Sequence, residues 1–310
     1  MDFGSINPVL LIASLMVAST PILLAAIGEL VVERSGVLNL GVEGMMIVGA
    51  VSGFIVAVET GSPALGFVAG AVGGMLLSLL FGVLTQILLA NQVATGLGLT
   101  LFGLGVSALI GKNYVGIRPP PSPKMEFFGL SELPVVGRFL FNQPAMVYIS
   151  LALVVAVWFY LRSTRSGLIL RAVGEGHDAA HSLGYSVVET RFAAIAFGGA
   201  CAGLGGAFMS LIIVPQWTDG ITAGQGWIAL AIVVFGSWRP WRVLIGAYLF
   251  GGVTVLQLNL QAAGFAIPVE LLSMSPYLIT IVVLVIISSD KKRSAANAPA
   301  SLGRTFHASG

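Results

Sequence analysis

Glu29, Glu33, Arg34 and Glu43 stand between two long apolar runs, in the stretch GELVVERSGVLNLGVEGMM that covers 28–46. Ionisable groups among membrane spans cost roughly 2.5–3.5 kcal/mol each on insertion scales, so their retention points to function. Two kinds of chemistry are open to them. Carboxylates at that depth can relay protons or ions, or Glu29 and Glu33 can join Arg34 in a local ion network. The glycines and Asn39 of the stretch speak against an unbroken helix. They predict irregular or half-helical backbone near 28–44, which is tolerated at membrane depth only inside protein or beside a watery cavity.

Other spacings carry less. His177 and His181 sit at i and i+4 in HDAAH, the spacing of zinc ligands on one helix face. Asp178 stands where the hydrolases of that type have glutamate, and no third ligand accompanies the pair. An exposed helix is the expectation, with no metal and no cofactor. His307 lies in the tail, so no Ser/His/Asp or Cys/His set can be assembled. The run from Gly105 to Lys112 has five residues between its glycines and no Ser or Thr after the lysine, so it is not a phosphate-binding loop. Nothing here points to an enzyme. A net charge of +2 without a basic stripe speaks against a nucleic-acid partner. The single cysteine, Cys201, excludes a disulfide within the chain.

Polar side chains in or beside the apolar runs form a further group: Asn39, Gln92, Thr95, Thr222, Gln225 and Gln257. Amides and hydroxyls there can satisfy a polar solute, or they can join helices, at about 0.6 kcal/mol on average. The turn TDGITAGQGW (218–227) is either a plain external loop or the start of a half-helix aimed at a solute. Asn39, Glu43, Gln92, Thr95, Thr222 and Gln225 are the candidates for a solute path.

The elements that must position these groups are membrane helices. The chain is 56% hydrophobic and 9% charged, with mean hydropathy +0.96, against about 25% charged in a soluble domain. The fold class is therefore all-α, a polytopic helical bundle in membrane lipid. At roughly 20 residues per crossing, spans are expected at 8–27, 45–58, 64–89, 93–110, 145–161, 192–214, 227–238, 243–259 and 271–288. Nine is the count, with eight or ten depending on how the broken stretch is threaded. No cleavable signal peptide is expected. Gly66, Gly70 and Gly74, and later Gly199 and Gly203, recur at the spacing of tightly packed membrane helices. The domain plan is one transmembrane unit, 1–290, and a disordered tail, 291–310. Basic residues concentrate in 162–191, 239–242 and 291–293, and the positive-inside rule puts all three in the cytoplasm. The proline-rich loop 111–143 is then external. Glu29, Glu33 and Arg34 fall near the cytoplasmic face, and Glu43 is the acid left beside the path.

The loop RAVGEGHDAAHSLG (171–184) reads as a short helix over 175–183, with acids at its start and Gly184 as its stop. Flanking arginines and an alanine face suit a solvated connector or docking into a partner's groove.

Taken in order, GELVVERSGVLNLGVEGMMIVGA, NQVATGLGLTL, RAVGEGHDAAHSLGYSVVETRFAAIAFGGACAGLGGA and ITAGQGWIALAIVVFGSWRP resemble the permease subunits of bacterial ABC importers. The superfamily is that of the branched-chain amino acid and ribose permeases, in its nucleoside and simple-sugar branch. The matches run from about 23 to 276. The resemblance implies a transmembrane subunit of an ATP-driven importer for nucleosides or related small polar solutes, in the bacterial cytoplasmic membrane. It implies a separate ATPase, a second and different permease, and a periplasmic or lipid-anchored solute-binding protein. The family's coupling loop maps onto Gly174, Glu175, Asp178, Ala179, Ala180 and Gly184, with Gly176 and His177 where the family has Asn-Pro. The competing class is an ion-coupled secondary transporter that uses the intramembrane carboxylates.

Overall fold

The computed structural model describes residues 8–126, 141–262, 274–275, 278–279, 281–282 and 298–307. Its helices are α1 (Pro8–Arg34), α2 (Val42–Thr60), α3 (Pro63–Gly82), α4 (Gln92–Gly111), α5 (Ala145–Ser163), α6 (Arg165–Glu175), α7 (His177–Ser182), α8 (Val187–Phe208), α9 (Gln225–Phe235) and α10 (Pro240–Ala262). Among the described residues, seven of these, with their extensions, are long and apolar enough to cross a membrane. The short antiparallel pair Lys124–Glu126 and Asn142–Pro144 leads into α5.

The expected span at 227–238 is a half-helix instead. α9 has 11 residues, about 16 Å at 1.5 Å per residue, half of a ~30 Å hydrocarbon core. The expected span at 271–288 lies almost wholly outside the described residues, so nine crossings stand as seven full helices and one half.

Small residues hold the centre. α3 and α8 pack together with α2 along the glycine face anticipated from Gly66, Gly70 and Gly74. A Cβ at Gly203 would fall on the carbonyl of Gly70, and one at Gly206 on the carbonyl of Met46. Backbones this close gain dispersion contacts that lipid cannot match. Ile22, Leu23, Leu24, Ile27 and Leu30 of α1 are buried, and α1 leans on α8, α10 and α9.

The bundle has two distinguishable ends. At one, Arg34 donates to the Trp238 carbonyl at 3.2 and 3.0 Å, and Ser301 N–H donates to Gly174 at 2.9 Å. We term it the basic end. At the other, Tyr114 donates to Glu59 at 2.7 Å and Val115 bridges to Trp217.

The break in the opening stretch is narrower than its sequence implies. Gly28 to Arg34 are helical, and Glu29 and Glu33 sit on the last turns of α1. Only 35–41 leaves the helix, with Gly36 at φ 88° supplying the left-handed stop. Residues 298–307, part of the tail expected to lack structure, form turns packed on the basic end, with Ser301 and Phe306 buried.

Candidate functional site

The site is built around the irregular backbone of 35–41. Buried peptide groups need partners, and here they come from far along the chain. The Ser35 carbonyl accepts from Arg191 Nε at 3.3 Å, and the Gly36 carbonyl from Gly303 N–H at 3.1 Å. Leu38 N–H donates to Gln92 Oε1 at 2.8 Å. Thr100 Oγ1 donates to the Leu40 carbonyl at 3.3 Å, and Gly41 N–H donates to Asn39 Oδ1 at 2.9 Å. Asn39 closes its own turn and sets its amide 3.3 Å from Met45 sulfur. Asn39 and Gln92 are thus committed to holding the break. Thr95 is half-buried and makes no side-chain hydrogen bond among the described residues.

The break delivers Glu43 to the first turn of α2, 4% exposed. There it meets the N-terminus of the half-helix α9. Gly224 N–H donates to Glu43 Oε1 at 2.9 Å, Gly226 N–H donates to Oε2 at 2.7 Å, and the Thr222 hydroxyl donates to Oε1. The carboxylate lies at the positive end of two helices at once, each favouring an anion by about 0.3–1 kcal/mol, more when buried. Gly226 is required for the approach, because a Cβ would lie 2.5 Å from the Glu43 backbone. Gln225 is beside this node with its Oε1 buried and unpartnered among the described residues. The structure brings Glu43, Thr222 and Gln225 together and leaves Thr95 apart from their hydrogen bonds.

Glu29, Glu33 and Arg34 do not form ion pairs among the described residues. Trp238 stands between them instead. Its indole N–H donates to Glu33, and its carbonyl accepts the Arg34 guanidinium. Glu29 Oε1 is buried without a partner among the described residues. The sequence signal for Trp238 was its place at the end of a short apolar run, just before Arg239 and Pro240.

The loop 171–184 holds two helices, not one. α6 ends at Glu175, the backbone extends at Gly176 (φ −162°), and α7 runs His177–Ser182 without a side-chain cap. Gly184, at φ 86°, ends it as expected. Glu175, Asp178, Ala179 and Gly184 are exposed, and the neighbouring Leu183 is 75% exposed. Gly174 and Ala180 face inward. A Cβ at Gly174 would strike the Arg34 carbonyl, and Ala180 packs with Val173, Val187 and Phe306. His177 and His181 both meet the Phe306 ring edge-on, at 5.5 and 5.2 Å, and among the described residues no group of metal-ligand type forms. Burial pushes the His177 imidazole below its ordinary 6.5. The Arg191 and Arg304 charges push the same way, against Asp178.

Arg191 closes the basic segment 162–191. It lies fully buried in the first turns of α8 and spends its donors on Ser35, Gln86, Arg304 and His177, at 3.2 to 3.3 Å.

The family described as branched-chain amino acid transport system / permease component matches residues 11–287. A putative glucose ABC transporter permease of Haloferax volcanii is 43% identical over 86% of this chain and 88% of its own length. A nucleoside ABC transporter permease of Lactococcus lactis subsp. cremoris is 34% identical over 89% and 91%. A guanosine ABC transporter permease of Bacillus subtilis is 33% identical over 92% and 93%. Bacillus subtilis and Haloferax volcanii each contribute a second, more distant permease named for the same solute, at 26% and 25% identity. No solved structure matches.

Proposed function

The chain belongs to the family of branched-chain amino acid transport permease components, and from that premise we propose that it lines the path of an ATP-driven importer for nucleosides or related polar solutes such as sugars. It is a multi-pass membrane transport subunit and not an enzyme; an ATPase and a solute-binding protein follow from the family.

The basic end faces the bacterial cytoplasm in this reading, by the positive-inside rule. The second permease of the pair is a different chain. The paired relatives from Bacillus subtilis and Haloferax volcanii support that. Glu175, Asp178, Ala179 and Gly184 form the face that meets the ATPase, while Gly174 and Ala180 seat it.

One observation carries the path. A half-helix, within the segment that runs from Trp217 at one end of the bundle to Trp238 at the basic end, starts on a buried carboxylate at the break between α1 and α2. Glu43 and Thr222 hold that half-helix, and the free Gln225 oxygen is a ready acceptor for a solute hydroxyl or ring N–H. Titrating nucleosides and sugars onto the cognate binding protein, then assaying uptake of those that bind, tests the cargo. Binding and uptake of a nucleoside or a sugar is expected. Binding of branched-chain amino acids alone would reject it.

A further inference from the structure

At the basic end, residues 298–307 touch four helices and the 35–41 break. Ser301 N–H donates to the Gly174 carbonyl, at the end of α6, at 2.9 Å. Two residues on, Gly303 N–H donates to the Gly36 carbonyl, inside the break, at 3.1 Å. The Arg304 carbonyl accepts from Arg191 at 3.2 Å and from Gln92 at 3.5 Å. Phe306 then enters the cluster of Val173, Ala180 and Val187, 6% exposed, with His177 and His181 against its ring.

One short segment therefore links the two coupling helices to the break, to α4 and to α8. The partners at its two ends differ in kind. Phe306 grips α7 by apolar contact, from the inner side, opposite exposed Ala179. Ser301 and Gly303 grip backbone carbonyls. Gln92, which takes the Arg304 carbonyl, also holds Leu38. Arg191 likewise holds both Arg304 and Ser35. Both side chains that bond the Arg304 carbonyl, Gln92 and Arg191, also fix the break.

We propose that residues 298–307 are a transmission strap, which passes displacement of α7 into the 35–41 break and so to the Glu43 node. This rests on the reading of α7 as the ATPase contact. Among the described residues, α6 meets the end of α1 and the break through Gly174, beside Arg34 and Gly36, whereas α7 reaches Ser35 through His177 and Arg191. The strap supplies the parallel route. Packed elements shift as units, and a rigid link between two of them sets how far one follows the other. Phe306 is a positioning residue here and does not touch solute.

The test uses the whole importer in proteoliposomes, with solute uptake and ATP hydrolysis measured on the same vesicles. ATP-driven uptake by the wild-type complex establishes the underlying reading; its absence defeats that reading and not the strap. Phe306→Ala and a chain ending at residue 297 are expected to keep the ATPase bound and hydrolysing. Their uptake per ATP falls roughly 2- to 30-fold, the range of mutations along a coupling route. Wild-type uptake per ATP in either variant, or loss of the ATPase from the complex, overturns the proposal. A third variant guards against misfolding. A Cβ on Gly303 would lie 3.8 Å from that of Leu38, within the reach of a disulfide, so Leu38→Cys with Gly303→Cys locks strap to break; the strain of a side chain at Gly303, φ 74°, is common to the oxidised and reduced arms. Equal uptake with and without reductant is expected. Uptake that appears only on reduction would mean that the strap has to detach, and would overturn it.

Discussion

At the residue scale, Glu43 and His177 show opposite uses of a buried titratable group. Glu43 is held by three donors, two of them backbone N–H groups of the α9 start. A hydrogen bond to a charged group contributes about 1.5–3 kcal/mol, and an orphaned donor costs about 1–3 kcal/mol. Glu43→Gln keeps the shape but offers one acceptor oxygen for two. Uptake is expected to fall about tenfold, equal to roughly 1.4 kcal/mol, while the amount inserted stays near wild type. Equal uptake per inserted molecule would return Glu43 to a packing role. His177 accepts from Arg191 at 3.3 Å through Nδ1, which only the neutral ring can do. Its folded affinity for protons is lowered, first by burial and then by Arg191. Below about 6.5 the unfolded chain takes up a proton that the folded chain resists. The stability that neutral His177 brings is present above 6.5 and lost as pH falls. Melting temperature in detergent should therefore drop between pH 7.5 and 5.5. His177→Gln, which keeps an acceptor and does not titrate, should flatten that drop.

At the element scale, the periodicity of apolar runs and small residues made the long helices legible. Gly70, Gly74 and Gly203 sit in the contact that their spacing implies. Glu29, Leu30, Glu33 and Arg34 are good helix formers and carry α1 through to Arg34 despite Gly28. What stayed hidden was set by partners distant in sequence. Nothing local to Arg191 says that it is buried, because its acceptors lie at Ser35, Gln86 and Arg304. The tail looked disordered because its composition is Ala-, Ser- and Asn-rich, yet Phe306 has a cluster to fill. The Glu43–Thr222 contact joins positions 179 apart, beyond any periodicity. The split of the 171–184 loop comes at Gly176, where the backbone extends and the next helix starts without a side-chain cap. Two predictions belong here. Gly206→Leu should lower the melting temperature, because its Cβ already falls on the Met46 carbonyl; overpacking of this kind costs about 1–3 kcal/mol or more. Replacing Glu175 by Lys together with Ala179 by Trp changes only exposed positions, so insertion should be normal while co-purification of the ATPase is lost. Undiminished co-purification would move the docking face elsewhere.

At the scale of the whole molecule, the parts form one chain of contacts. The exposed face of α7 lies over Phe306, the 298–307 segment ties α7 to the break, and the break positions Glu43 under the half-helix. In the proposed reading, such an arrangement is the route by which a separate ATPase acts on the solute path. An ion-coupled carrier would need its acids to load from one side and release to the other. Glu33 and Glu43 are instead occupied by Trp238 and by α9. The most direct measurement is radiolabelled solute uptake into proteoliposomes that hold this chain, its partner permease, the ATPase and the binding protein. Uptake should require ATP inside the ATPase-facing compartment and persist when ionophores abolish all ion gradients. Uptake that ionophores abolish and ATP removal leaves intact would contradict it.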